Sequence, residues 1–379
     1  MKKVLFVATV VKTHIMEFHI PYLKMFKEMG WETAVAARND YDNPMDCVIP
    51  YCDTYYNIPF ERNPMKIENL QAYKSLKKVI DEETYNIIHC HTPVGAMLTR
   101  LAAKKTRKYG TKVIYTAHGF HFYKKSPFLN WILYYPVEKW LSRYTDVLIT
   151  INKEDYENAK DFKAGKICYI PGVGVDLQKF QITEKIHMEK RRWLCSEFSI
   201  PNDATILLSV GEVNKNKNHR VVIDALKQLR CKDIYYVICG RGPLTSEYKE
   251  ILKSYGIEDH VFFTGYRTDV ENFYKAADVF VFPSFREGLP VAVMEAMASG
   301  LPVIATKIRG NTDLVEEDIN GILLDPTDVG GFEKAIISMC DDCERRRISN
   351  NNKAKSKEFD LQRILEKYYV IYNEGEDYE

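Results

Sequence analysis

Two carboxylates at a fixed separation are the residues best placed to hold a ligand. Glu287 lies in the Gly-containing stretch Phe285-Arg286-Glu287-Gly288-Leu289-Pro290, and Glu295 lies in the segment that follows it. Pro290 suits a first helical turn, because its φ is fixed and it has no N–H to leave unpaired, so a helix is predicted to start there. The apolar run that ends at Pro283 reads as a buried strand. A strand, a loop and a helix start in that order form the place where an open parallel sheet binds ligands. The unpaired amides of a helix start attract phosphate. A rise of ~1.5 Å per residue sets Glu295 about 7–8 Å further along the axis. Two acceptors flanking an anion site suit a ligand with hydroxyls on both sides of its phosphates, as in a sugar nucleotide. Taken alone, a Glu-x7-Glu spacing is ordinarily a pair of solvated charges. The weight rests on the whole string from Glu287 to Ala305, Glu-Gly-Leu-Pro-x4-Glu-Ala-Met-Ala-x-Gly-x-Pro-Val-Ile-Ala.

The elements that must carry this loop recur along the chain. Short apolar runs alternate with helical patterns, which predicts parallel sheets of βαβ units. The first set is 4–9, 33–37, 86–91, 112–118, 146–151 and 167–171. The second is 204–210, 235–240, 261–265, 278–283, 302–306 and 321–324. Pro171-Gly172-Val173-Gly174-Val175-Asp176 punctuates the interval as a hinge. A chain of 379 residues has room for two domains. They are expected at 1–175 and 176–357, as two facing Rossmann-like α/β domains with a cleft between them. Leu361, Ile364, Leu365, Tyr368 and Tyr372 predict an amphipathic last helix, about 358–379.

Apolar content of 46% and charged content of 28% are those of a globular protein. No apolar run is long enough to span a bilayer. Met-Lys-Lys before Val4–Val11 imitates a secretion signal, but Lys12-Thr13-His14 offers no cleavage site and an opening strand fits better. The nine cysteines are scattered, with Cys90, Cys168 and Cys239 in strand-like runs, so buried thiols in a reducing cytoplasm are expected. Cys340 and Cys343 form a lone pair without a second, and no zinc site is expected there.

A net charge of +1 conceals a strong segregation. Between Thr99 and Arg143 there are ten Lys and Arg, ten aromatic residues and one acid, Glu138, while the remainder of the chain carries a net −8. Cations interleaved with rings suit an anionic membrane surface. Nucleic acid is a weaker fit, and core aromatics with solvated charges are the plain alternative.

The 287–305 string resembles the donor-site signature of retaining glycosyltransferases of family 4, which have the GT-B fold. The resemblance extends over nearly the whole chain and is strongest from about Ser209 to Pro326. It implies that Glu287 holds the hydroxyls of the donor sugar, that Glu295 holds the ribose diol, and that the Gly288 and Leu289 amides meet the diphosphate. Ser209–Asn218 is similar to the family's Gly-Arg-Leu-x3-Lys turn, with Lys217 at the phosphate-gripping Lys. Glu212 replaces the Arg, whose role is not carried over, and Lys215 is a substitute candidate. Gly240-Arg241-Gly242-Pro243 resembles the turn beside the nucleotide, and Gly265-Tyr266-Arg267 the segment that frames the base, where Arg267 would meet uracil. Thr116-Ala117-His118-Gly119 resembles the family's sugar-holding His. The final helix is implied to cross back onto the first domain. After the first strand the family's Gly-Gly turn is missing, with Lys12 as a possible replacement. His89 and His91 resemble a zinc pair only superficially, since no clustered Cys or carboxylate completes one, and they read as crevice or core residues.

The resemblance thus implies a retaining transferase that takes a UDP-sugar and extends an undecaprenyl-diphosphate-linked or oligosaccharide acceptor in surface polysaccharide synthesis. It would act at the inner face of the cell membrane, contacting the bilayer through 99–143 and binding no nucleic acid. No cofactor or metal is expected, because Lys217 and the helix dipole serve the diphosphate. A GT-B sugar-nucleotide epimerase and a non-catalytic scaffold remain open alternatives at this stage. A dehydrogenase is disfavoured because no Gly-x-Gly-x-x-Gly follows the first strand.

Overall fold

A computed structural model describes residues 1–229 and 233–374. Among them, thirteen strands form two all-parallel sheets. The first sheet contains β1 Lys3–Val10, β2 Glu32–Arg38, β3 Thr54–Asn57, β4 Ile87–Cys90, β5 Lys112–Ala117, β6 Val147–Thr150 and β7 Lys166–Tyr169. Its spatial order is β3-β2-β1-β4-β5-β6-β7. The second contains β8 Thr205–Val210, β9 Ile234–Cys239, β10 Val261–Gly265, β11 Val279–Phe282, β12 Val303–Thr306 and β13 Gly321–Leu324. Its order is β10-β9-β8-β11-β12-β13. Both orders reverse direction next to the first strand of the sheet, which makes each a Rossmann-like sheet with a switch point.

The expected six strands per half are seven and six. The one missed, β3, is a short edge strand (Thr54-Tyr55-Tyr56-Asn57) that pairs only with β2. It has no buried apolar run to announce it, since none of its residues is fully buried. The chain divides into one unit of Met1–Val173 plus the segment from Ile364, and another of Gly174–Arg363.

Helices cover both faces of the first sheet, so its strands are apolar on both sides. Leu5 and Val7 of β1 enter one core with Leu76, Ile88 and Phe122. Val4, Phe6 and Ala8 point the other way, to a core with Tyr22, Phe26, Ile364, Tyr368 and Tyr372. The last helix, Leu361–Asn373, therefore belongs to the interior of the first unit from Ile364 onward. Residues 375–379 of its expected span lie outside those described. Tyr372 packs on Phe26 with ring centroids 4.7 Å apart, and its hydroxyl lies 2.7 Å from His89 Nδ1. Lys112 Nζ donates to the Ile371 carbonyl, tying the helix to β5.

The eight described cysteines are free, with Cys90, Cys195 and Cys239 buried and Cys340 and Cys343 exposed. Tyr372→Ala should destabilise the first unit by about 3–5 kcal/mol, as for other buried aromatics, and Tyr372→Phe by about 1 kcal/mol for the lost hydrogen bond. Urea titration followed by circular dichroism would measure both, and a Tyr372→Phe protein as stable as the wild type would remove the hydrogen bond from the account.

Candidate functional site

In the second unit the switch point lies between β8 and β11, and the loops leaving these strands carry the charged residues. The helix after β11 spans Val291–Ala298, with Pro290 as its cap in extended conformation (φ −76°, ψ 117°) rather than in its first turn. Two hydrogen bonds stitch the loops together: the Phe285 amide donates to the Asn216 carbonyl at 2.8 Å, and Asn216 Nδ2 donates to the Arg286 carbonyl at 3.0 Å. That stitching sets Lys217 Nζ 2.8 Å from Glu287 Oε1, with both side chains mostly shielded from solvent. The ammonium also lies 4.5 Å from the centroid of the Phe282 ring. Among the described residues, the amides of Gly288 and Leu289 have no hydrogen-bond partner. A paired cation beside two unclaimed amides has the chemistry to receive an anion.

Glu295, in the helix, accepts from the Tyr274 hydroxyl at 3.0 Å. Tyr274 is fully buried, and burial, followed by this carboxylate, raises its phenol pKa well above the ordinary value. The phenol therefore stays a donor. Gly240 and Gly242 serve a close backbone approach. A Cβ on Gly240 would stand 1.8 Å from the Gly211 carbonyl oxygen, and one on Gly242 would stand 2.3 Å from that of Val213. Both glycines let the turn after β9 press against the loop that carries Lys217. Arg267 makes a bidentate pair with Asp269 (2.8 and 2.9 Å), reaches Glu197 at 3.4 Å, and lies over the Phe273 ring. Its exposed neighbour Tyr266 has the Arg241 guanidinium 5.7 Å from its ring centroid. Glu212 and Lys215 are exposed.

In the first unit the corresponding strand ends gather histidines. β1 runs directly into a π-helical turn, Val11–Ile15, which carries His14, and His19 follows one turn later. The Lys12 amide donates to Asp40 Oδ1 at 2.6 Å, and its ammonium lies 5.3 Å from the Tyr41 ring centroid. The segment in place of a Gly-Gly turn is thus held against Asp40–Asp42. His91 follows β4 and His118 follows β5, with His91 Nδ1 3.2 Å from His118 Nε2. One nitrogen from each of His14, His19, His91 and His118 lies within 4.8 Å of every other. Burial lowers all four pKa values, that of His118 to about 4, and neighbouring imidazoles lower His14, His19 and His91 further.

The sequence offered no clustered Cys or carboxylate beside His89 and His91, and the structure places other histidines there instead. His91 is joined by three histidines from other segments, whereas His89 is spent on Tyr372 and on Thr116 Oγ1 at 2.8 Å. Beside His14 opens a cavity of about 550 Å³, lined by Met97, Phe120, Phe122, Tyr134 and Val137 and edged by Arg62. Glu138 at its wall is neutralised by Arg100, 2.9 Å away and fully buried.

The helix forming one side of that cavity, Phe128–Leu141, buries only Leu141. Phe128 is 77% exposed and Trp140 43%, with Leu129, Ile132 and Leu133 also exposed. Of the aromatics in 99–143, Tyr115, Phe120 and Phe122 are core, so the segment is part interior and part apolar surface. Four contributors went unread in the sequence: Tyr274, His14, His19 and Arg309, whose Nε donates to the Glu287 carbonyl at 3.1 Å. His14 and His19 carried the one usable signal, two histidines close together immediately after the first strand.

Two Rossmann-like units, each with a parallel sheet that reverses at a switch point, are the frame of a GT-B glycosyltransferase. Residues 3–152 match the family model described as Glycosyl transferase 4-like, and residues 195–356 match that of Glycosyl transferases group 1. EpsD of Bacillus subtilis (strain 168), a glycosyltransferase by its name, is 41% identical over 377 residues, covering 98% of this chain and 96% of that protein. The UDP-Gal:alpha-D-GlcNAc-diphosphoundecaprenol alpha-1,3-galactosyltransferase of Escherichia coli is 31% identical over 310 residues, covering 78% and 76%. Among solved structures, Anabaena Alr3699/HepE in complex with UDP and glucose superposes with a TM-score of 0.79 at 19% identity, covering 98% and 99%. The chain belongs to the family 4-like, group 1 glycosyltransferases.

Behind the Lys217 loop, His219 is buried with Nδ1 3.1 Å from the Tyr236 hydroxyl. Burial, then the Lys217 charge, pushes its pKa from 6.5 down to about 4. The unfolded chain protonates this ring at the higher value. Its contribution to stability is therefore complete above pH 6.5 and is lost as pH falls toward 4. Through that window the stability of His219→Gln should fall less steeply than that of the wild type, by up to about 1.4 kcal/mol per pH unit. Identical slopes in urea titrations at several pH values would refute the assignment.

Proposed function

We propose that the protein is a retaining glycosyltransferase that moves a hexosyl or N-acetylhexosaminyl group from a UDP-sugar to an undecaprenyl-diphosphate-linked or related saccharide acceptor of a surface polysaccharide. The observation that carries this reading is the Lys217–Glu287 pair beside the unclaimed Gly288 and Leu289 amides. UDP is favoured because the Escherichia coli relative is named for UDP-Gal and the Anabaena structure holds UDP. The same relative's name supplies the diphosphoundecaprenol acceptor.

In this reading Lys217 and the amides take the leaving diphosphate, Glu287 the sugar hydroxyls and Glu295 the ribose diol. Gly240 and Gly242 shape the nucleotide turn, and Arg267 with Tyr266 frames the base. His118 takes the sugar-holding role that the family resemblance implies. The acceptor hydroxyl enters on the face the diphosphate leaves. The bond from the anomeric carbon to the diphosphate oxygen breaks, the bond to the acceptor oxygen forms, and the hydroxyl proton passes to a diphosphate oxygen. Configuration is kept without a protein nucleophile, and the protein acts by positioning and charge stabilisation. No metal is required for this chemistry.

Glu287→Gln should abolish transfer while leaving UDP affinity by calorimetry nearly unchanged, whereas Glu295→Ala should weaken UDP binding. Lys217→Ala should lower kcat by about 10²-fold or more. Full turnover by the Glu287 variant would end this assignment of the site.

The apolar cavity and the exposed face of Phe128–Leu141 support peripheral contact at the inner face of the cell membrane, where a lipid-linked acceptor resides. Exposed Lys104, Lys105, Lys108, Lys124 and Lys125 in the same segment suit an anionic surface. Phe128→Ser combined with Trp140→Ser should reduce co-sedimentation with phosphatidylglycerol vesicles by about tenfold or more. Unchanged sedimentation would remove this helix as the contact.

A further inference from the structure

We propose that His14, His19, His91 and His118 form a transition-metal site of zinc type in the first unit. Three segments that follow different strands deliver these rings to one point, the switch point beside β1 and β4. Zinc binds imidazole nitrogen at about 2.0–2.1 Å in a tetrahedron, whose edges are then about 3.3–3.4 Å. The His91 Nδ1 to His118 Nε2 separation of 3.2 Å already matches such an edge. With all four nitrogens within 4.8 Å of one another, small side-chain rotations close the remainder. An all-imidazole set without carboxylates suits zinc, copper or nickel and disfavours magnesium and calcium.

Unsatisfied hydrogen-bonding capacity separates this cluster from ordinary ring packing. Both ring nitrogens of His19, Nε2 of His14 and Nε2 of His91 are buried without a partner. Each such group, left alone, forfeits a hydrogen bond it would make in water. Stacking alone, such as the 3.9 Å separation of the His19 and His91 centroids, would be served as well by phenylalanine. A metal bound through one nitrogen of each ring would give His14 Nε2 and one nitrogen of His19 the partner that the surrounding protein withholds.

The flanking residues are built to match. His89, with its centroid 4.1 Å from that of His91, is fixed by Tyr372 and Thr116 and braces the site from behind. Thr92, directly after His91, holds φ at 61°, a conformation that β-branched residues rarely adopt and that marks stored strain. Its Oγ1 accepts from the Thr9 amide at 3.1 Å, locking the turns after β1 and β4 together.

The site is separate from the donor chemistry of the second unit and does not depend on it. It has one consequence for the proposed transfer. A metal on Nε2 of His118 leaves the ring proton on Nδ1, so that His118 presents a fixed donor to a sugar oxygen.

The test uses the full chain without a histidine tag. Plasma mass spectrometry should find about one zinc per chain in protein from zinc-replete cells. After chelation, added Co²⁺ should give the visible d–d bands of a tetrahedral site, and Zn²⁺ should raise Tm. His19→Gln and His14→Gln, each checked for folding by circular dichroism, should lose the bands, while His260→Gln in the second unit should keep them. Folded wild-type protein that holds no zinc, shows no cobalt bands and gains no Tm overturns the proposal, as does full metal retention by folded His19→Gln. Neither result touches the transferase reading, which is judged on UDP binding and turnover.

Discussion

A strand covered by helices on both faces can carry almost nothing but apolar side chains, and that restriction places the reactive groups of this protein. β6, β11 and β12 are buried at every position. Polar side chains are displaced to where the strands stop, and the parallel arrangement brings all carboxyl ends to one edge. The strand order reverses beside β1 in one sheet and beside β8 in the other. At those reversals the flanking loops diverge and leave room for a ligand. The histidine cluster stands at the first reversal and the Lys217–Glu287 pair at the second.

The two edges solve different electrostatic problems. In the second unit a cation and an anion hold each other in place, with backbone hydrogen bonds between their loops fixing the separation. A largely shielded pair of this kind keeps both charges at moderate cost and fixes where the ammonium stands. In the first unit burial keeps the imidazoles uncharged, and uncharged imidazole is the form that carries a free lone pair. Arg100 and Glu138 cancel each other beneath the neighbouring cavity, leaving its lining chiefly apolar.

Much of this was legible in the sequence, and the reasons are physical. Twelve of the strands announced themselves as apolar runs between turn residues. The thirteenth, β3, did not, because an edge strand pairs on one side only and needs no buried run. The Glu287 loop was legible because helix start, glycine and carboxylate are neighbours in the chain. Tyr274 and Arg309 were not, since each reaches its partner only through strand order, which local pattern does not encode. The histidines illustrate the same limit. His89 and His91 stood out as a pair, yet the fold separates their roles and unites His91 with rings from more than seventy residues upstream. Charge segregation in 99–143 was visible, but composition could not divide core aromatics such as Phe122 from surface ones such as Phe128.

The docking of Leu361–Asn373 into the interior of the first unit sets a schedule for biosynthesis. When a ribosome has made the first 173 residues, Tyr22 and Phe26 still lack the aromatic partners Tyr368 and Tyr372. The whole second unit must be translated before those partners emerge, a wait of roughly 10–40 s at ordinary elongation rates. Through that interval Tyr22 and Phe26 lack the side chains that cover them, transiently exposed apolar surface of the kind that invites aggregation. Translation of Leu361–Asn373, rather than of the first 173 residues alone, is what seals this interior.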